Sequence, residues 1–380
     1  FRLPGIGTRE ADMLTIIDNI LNNGTAGLID LNLIQKQKVL AMSSYFQIMK
    51  DYSAHIFSAK PKEGQKLEDL EKLCISQIEL VKKGEFPDWL IPAIISNMKL
   101  SQIKMYESNY SRAGAFVSAF IYGEKWNDYV NNIARLSKIT KQDIMDFAKK
   151  YYNENYVVGY KHIGTDSAVQ KITKPEISPV ETNRNEQSDF FKKIVNTPVG
   201  KMEPQFLDYT KNIKSSFVQK NIPLFFTENK ENKTFNLYYI FDMGSNHDKK
   251  LPVAIQYFPF LGTSKYTPSQ IQEEFYKLAC DFGVFNSEDQ VYVSLSGLTE
   301  NFDKALQLFE HLLIDAKPNS DVLQNLVLDI LKERADAKLD KRSILRGAMY
   351  NYGIYGTKSP FTNILSEKEL KAINPEELVN

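Results

Sequence analysis

Cysteine is almost absent from this chain: Cys74 and Cys280 are the only two in 380 residues. They are far apart, on what reads as separate helices of separate domains, so no disulfide framework is expected, and the compartment stays open. Histidine is nearly as scarce. The four are His55, His162, His247 and His311, and no two of them stand three or four residues apart. H-x-x-E-H and H-E-x-x-H are therefore both missing, as are the G-x-S-x-G elbow and the phosphate-cradling glycine loop. Excess charge of either sign is missing too. Lys and Arg number 47 and Asp and Glu 47, so no global field recruits nucleic acid or an anionic surface. No apolar run approaches the roughly 20 residues of a membrane-spanning helix. The opening, FRLPGIGTRE, has neither a methionine nor a signal-peptide core, and Asn374 to Asn380 opens a helix and stops inside it. An excised piece of a longer chain is the expectation.

What is present suits an ordinary globular protein with two sizeable cores: 43% hydrophobic and 25% charged residues. In the first half, Thr8 is placed to cap a helix whose apolar stripe is Met13, Ile16, Ile17, Ile20 and Leu21, with Asn23-Gly24 at its left-handed end. Val39 to Met49 and Ala54 to Lys60 read as an antiparallel strand pair. Lys66 to Lys83 is helical by period and ends at Gly84, with Cys74 in its apolar stripe as a buried core thiol. Two helices span Asp88 to Ile121 with a join near Ser108-Asn109, and Gly123 to Leu136 stays helical. Thr140 and Asp143 form a capping box that opens the next helix. Tyr156 to His162 reads as a returning strand. Strands, then helices, then a strand is an α+β order.

Gly164 to Pro204 changes character, with four prolines and a polar run from Glu181 to Gln187 around a small apolar cluster of Phe190, Phe191, Ile194 and Val195. It reads as a linker. The expected organisation is a domain over 1–163, a linker over 164–205 and a second domain over 206–380. In that second domain Ser216 to Gln219, Leu224 to Glu228 and Phe235 to Met243 are strand candidates. Thr267-Pro268 starts a helix expected to run to Gly283. Val291, Val293 and Leu295 alternate as a strand, and helices follow over Leu298 to Asp315 and Asp321 to Leu339. Arg346, Tyr350 and Tyr352 lie beyond them, and aromatics at helical spacing are expected to be core.

Everything turns on Gly244 to Thr263, GSNHDKKLPVAIQYFPFLGT, a polar turn and a short helix after an alternating strand. Leu251, Ala254, Ile255 and Phe258 follow one helical face, so plain packing already explains them. The frame is more specific than the packing. Glycine after a strand, a charged turn, a short apolar helix and then Gly262-Thr263 resembles the pitrilysin/insulinase (M16) zinc peptidases, whose metal helix carries H-x-x-E-H shortly before a Gly-Thr pair. Aligned on that pair, the two histidines and the glutamate fall on Val253, Tyr257 and Gln256, and all three are replaced. Valine offers zinc no donor and glutamine is no general base. The stretch therefore resembles the inert copy of the catalytic domain in this family's internally duplicated chains.

The resemblance extends to the first half through Gly27-Leu28-Ile29-Asp30, Gly84-Glu85-Phe86 and the Ile139-Thr140 helix followed by an Asn-Tyr-Val-Val strand, in the order of the family's non-catalytic second domain. It implies an α+β fold of the family's metallohydrolase type in both domains, with antiparallel sheets packed by helices and truncation at both ends. It also implies a portion with no catalytic or metal residues of its own, zinc held by a catalytic domain elsewhere, and a peptide substrate met together with the rest of the parent protein. A bacterial periplasmic or envelope location follows only from the resemblance. The family's third zinc ligand is a glutamate, to which Glu333 is nearest; without the histidines it reads as a solvated or salt-bridged side chain. The family's substrate-holding arginine and tyrosine belong to a later domain, and the resemblance does not carry onto Arg346, Tyr350 or Tyr352. The rival readings are a structural or assembly protein that kept the fold without proteolysis, and an unrelated binding module.

Overall fold

The computed structural model describes residues 1–379 apart from 166, 167, 169, 171, 181 and 183. Glu181 and Asn183 of the expected linker, and the terminal Asn380, lie outside the described residues. The fold is α+β, with helices packed on antiparallel sheets. Residues 1–158 and 229–379 form one compact unit and 159–228 a second.

The first core is built on α1 (Arg9–Leu21), which Thr8 opens by accepting a hydrogen bond from the Ala11 amide. Leu14, Ile16, Ile17, Ile20 and Leu21 are fully buried, each worth about 2 kcal/mol in apolar burial. They pack against a three-stranded sheet in which β1 (Arg2–Pro4) and β2 (Ala41–Ile48) flank β3 (Tyr52–Lys60). Helices α2 (Leu67–Lys83), α3 (Leu90–Tyr106) and α4 (Asn109–Tyr122) follow, then α5 (Lys141–Tyr151) with the Thr140–Asp143 capping box. Gly84 closes α2 at φ +70°, a left-handed position that glycine occupies without a Cβ clash. Ser108 caps α4, which is where the sequence puts the join. Tyr156 to His162 does not form the expected strand: no strand pairs with it, and it runs as irregular backbone.

Residues 159–228 carry a short helix over Asp189–Val195 and a hairpin of β4 (Lys214–Gln219) and β5 (Ile222–Phe226), with a bulge between Phe217 and Gln219. Every residue of both strands is exposed.

The rest of the large unit begins with β6 (Thr234–Phe241), followed by α6 (Leu251–Tyr257) and α7 (Pro268–Lys277). β7 (Cys280–Asn286) and β8 (Val291–Leu298) then complete a sheet of order β6-β8-β7. Cys280 thus lies on a strand, not on the expected helix. Helix α7 stops at Lys277 because Ala279 turns the chain at φ +47° and the next residues pair along β8. Phe235, Leu237 and Tyr239 face the core while Phe241, expected beside them, is exposed at the end of the strand. Helix α8 (Phe302–Asp315) covers that face, its buried Phe309 stacking on Tyr239; Leu313, expected inward, sits at the exposed margin. Helix α9 (Ser320–Ala337) packs through Leu323, Leu326, Val327 and Ile330.

The two halves of the large unit are joined by specific bonds. Asn97 donates to the Tyr276 carbonyl at 2.8 Å, Gln37 to the Val322 carbonyl at 3.1 Å, and Lys62 pairs with Asp329 at 2.8 Å. Tyr276 itself is buried in the first core.

Candidate functional site: the helix after Gly244

Helix α6 starts after the turn Gly244 to Lys250, which is braced by the Gly244 amide donating to His247 Nδ1 at 3.1 Å. Proline in its first turn costs nothing, since the amide it lacks would be unpaired there. The helix buries a different stripe from the expected one. Leu251, Ala254, Ile255 and Phe258 are only half-buried, whereas Val253 and Tyr257 are fully enclosed among Leu323, Leu326, Val327 and Ile330 of α9. Leu251 and Phe258 meet the second cluster, around β8 and α8. A helix enclosed by two clusters hides more than one face, which the sequence pattern alone does not reveal.

The positions aligned with the two histidines therefore point into an apolar core. Tyr257 is wholly buried, and its hydroxyl donates to the Asn319 carbonyl at 2.8 Å while accepting from the Asn319 amide. Asn319 caps α9 through its side chain, so the phenol ties α6 to the start of α9. Burial pushes the Tyr257 pKa up, and a neutral phenol already bonded on both sides is no metal ligand. Gln256, aligned with the general base, is exposed and donates along its own helix to the Pro252 carbonyl at 3.1 Å. Glu333 is exposed on α9. These residues do not fit zinc.

The histidines do not assemble elsewhere. His311 Nε2 lies 3.0 Å from the Thr263 hydroxyl, His162 is exposed, and among the described residues no group of three His, Cys, Asp or Glu is placed to hold a metal. Burial raises the Cys74 thiol to about 12 and Cys280 to about 11, which makes both poor nucleophiles. Arg346, Tyr350 and Tyr352 are not core: both tyrosines are 64% exposed.

Two polar clusters have no local sequence signal. His55 Nε2 donates to Asp18 at 3.0 Å, the Tyr152 hydroxyl donates to His55 Nδ1 at 2.6 Å, and Ser44 also bonds Asp18. This tautomer follows because the carboxylate only accepts. The four residues come from α1, β2, β3 and the end of α5, so only the tertiary fold brings them together. All are buried, so no substrate reaches them. Asp30 accepts from the amides of Asn23, Gly24 and Gly27 and from the Asn22 side chain, fixing the turn after α1.

The fold is thus α+β, with Val253, Gln256 and Tyr257 where the resemblance puts the motif. Several known proteins are similar to it. The zinc protease PqqE of Helicobacter pylori is 22% identical over 157 residues, a match that covers 40% of this chain and 35% of that protein. The solved M16 inactive domain from Pseudomonas fluorescens is 23% identical, covering 44% of this chain and 42% of its own, with a TM-score of 0.38. The periplasmic protease PqqL of Escherichia coli is 12% identical over all of this chain and 45% of its own, with a TM-score of 0.38. No protein-family profile matches. The chain thus resembles the M16 zinc peptidases and, among them, an inactive domain, and it spans less than half the length of the relatives it matches.

Proposed function

We infer that this chain is the non-catalytic portion of a zinc-dependent endopeptidase that degrades peptides or small proteins. The observation that carries the reading is the Gly244 to Thr263 frame, with Val253, Gln256 and Tyr257 at the ligand positions and Tyr257 bonded into the α9 cap. Zinc, if held by a catalytic domain elsewhere in the parent protein, would polarise the scissile carbonyl and activate water. This chain contributes substrate-chamber wall and hinge. Its domains run over 1–163 and 206–380, the second being the inert copy, and the connector over 164–205 serves as the hinge.

The test is reconstitution. Hydrolysis of a quenched fluorescent peptide library is followed with this chain alone, with a chain from the same genome bearing an intact H-x-x-E-H, and with both together. Turnover by the mixture well above the metal chain alone supports the reading, with none from this chain alone. Equal turnover with and without this chain removes it, and the absence of any intact H-x-x-E-H relative in that genome turns the reading to a structural or assembly protein of the same fold.

A further inference from the structure

Helix α4 carries its large apolar side chains on the wrong side for a helix that only packs on its own protein. Its sheltered side, against α3, is made of Ser111, Ala115, Ser118 and Ala119, while Tyr110, Phe116, Val117, Phe120 and Ile121 are 55–89% exposed. At about 100° per residue of a regular α-helix, these five and the exposed Ala113 share one continuous outward arc. Large residues outside and small ones inside reverse the pattern of an ordinary surface helix. Arg112 is the only charged residue of α4, and it lies outside the arc, bonded to Asn109.

Part of the arc is already ordered. Phe116 stacks on Trp126 of the short helix Trp126–Val130 with 4.3 Å between ring centroids, and Trp126 stacks on Tyr129 at 5.3 Å. Rings held in this way have less side-chain freedom to lose when a partner covers them. With aromatic side chains at roughly 150–250 Å² each, the arc offers on the order of 800 Å². That is about what each partner of a stable interface buries.

Charge and shape name the occupant. A helix that lies in a membrane surface carries lysine and arginine opposite its apolar face, where α4 has serine and alanine against its own protein. In a two-fold contact the same patch meets itself, so every charge in it would face a like charge; an arc without charge escapes that repulsion. The arc also fits its own copy. Ala113 leaves a gap between Tyr110, three residues before it, and Phe116 and Val117, three and four after it. Turned antiparallel about an axis between Phe116 and Val117, two copies of α4 seat Phe120 of each over Ala113 of the other, as knobs into holes, and set Phe116 against Val117. We propose that α4 is the contact of a two-fold dimer of this chain, paired antiparallel through this arc. The contact goes beyond the chamber-wall role, since it needs neither zinc nor a catalytic domain.

The experiment is sedimentation velocity of the full chain from about 1 to 100 μM. The expected result is a reversible dimer of twice the 43.6 kDa chain mass. Val117→Glu/Phe120→Glu puts charges against their own copies and is expected to raise the dissociation constant at least a hundredfold. Ala113→Trp fills the gap and is expected to do the same, whereas Phe217→Glu/Phe225→Glu on the exposed β4–β5 hairpin leaves the dimer intact. All these side chains are exposed, and an unchanged far-ultraviolet circular dichroism spectrum confirms that the variants fold. A chain that is monomeric at 100 μM overturns the proposal and leaves the arc to another polypeptide. A dimer that survives Val117→Glu/Phe120→Glu or Ala113→Trp, or is lost equally in the hairpin variant, overturns it as well. So does an assembly larger than two, or flotation of a monomeric chain with phosphatidylcholine vesicles that Val117→Glu/Phe120→Glu abolishes, which would name a membrane.

Discussion

Replacing Tyr257 by phenylalanine removes one oxygen from the centre of the degenerate site. The ring stays, so the apolar contacts with Leu323, Leu326, Val327 and Ile330 are kept. What goes is the pair of bonds to the amide and carbonyl of Asn319. A hydrogen bond is worth about 1 kcal/mol net, and a partner left buried without one costs more. Asn319 is itself exposed, so water recovers part of the loss, and the cost is about 1.5 kcal/mol. For a unit of this size that lowers the melting temperature by roughly 2 °C. Tyr257→Ala also deletes the ring and costs about 4 kcal/mol. Differential scanning fluorimetry and urea unfolding of the two variants beside the parent measure both. A Tyr257→Phe variant as stable as the parent would refute the view that the phenol clamps α6 to α9 where the resembling peptidases place a metal ligand.

Rebuilding the motif with Val253→His, Gln256→Glu and Tyr257→His is expected to yield a destabilised chain with no stoichiometric zinc by mass spectrometry of metals, because positions 253 and 257 face the α9 core. One tightly held zinc per chain would contradict that packing. Asp30→Ala strips the partner from three backbone amides and costs about 3 kcal/mol, read as a lower urea midpoint. Burial holds His55 below its ordinary pKa against the opposing pull of Asp18. The unfolded chain therefore binds the extra proton first: stability is full above about pH 6.5 and falls as pH drops below it, by at most about 1.4 kcal/mol per unit from this group. A His55→Gln variant should show a flatter urea-midpoint profile between about pH 7.5 and pH 5; identical slopes would exclude His55 as the source. Trypsin is expected to cut first at exposed basic sites such as Arg184 and Lys201. The fragments should still co-elute in size exclusion, since residues 1–158 and 229–379 share one compact unit; separation without denaturant would break that assignment.

Local signals were legible wherever the chemistry is local. Thr8, Ser108, Thr140 and Thr267 all cap the helices they precede. The strands at Ala41–Ile48, Tyr52–Lys60 and Val291–Leu298 follow their alternation. Period failed where pairing decided. Leu278 to Gly283 continues a helical pattern, yet from Cys280 onward it lies along β8 and takes strand geometry. Tyr156 to His162 has strand composition but no strand beside it.

At the site, sequence alone showed that the H-x-x-E-H side chains are not there, because Val253 has no donor atom and Gln256 no basic carboxylate. Which way those positions point was decided by the tertiary structure: enclosure of α6 between two clusters turns Val253 and Tyr257 inward and leaves Gln256 in solvent. The exposure of Tyr350 and Tyr352 was settled in the same way. A 3.6-residue period tells which side chains share a face, and only the neighbouring elements determine whether that face is covered.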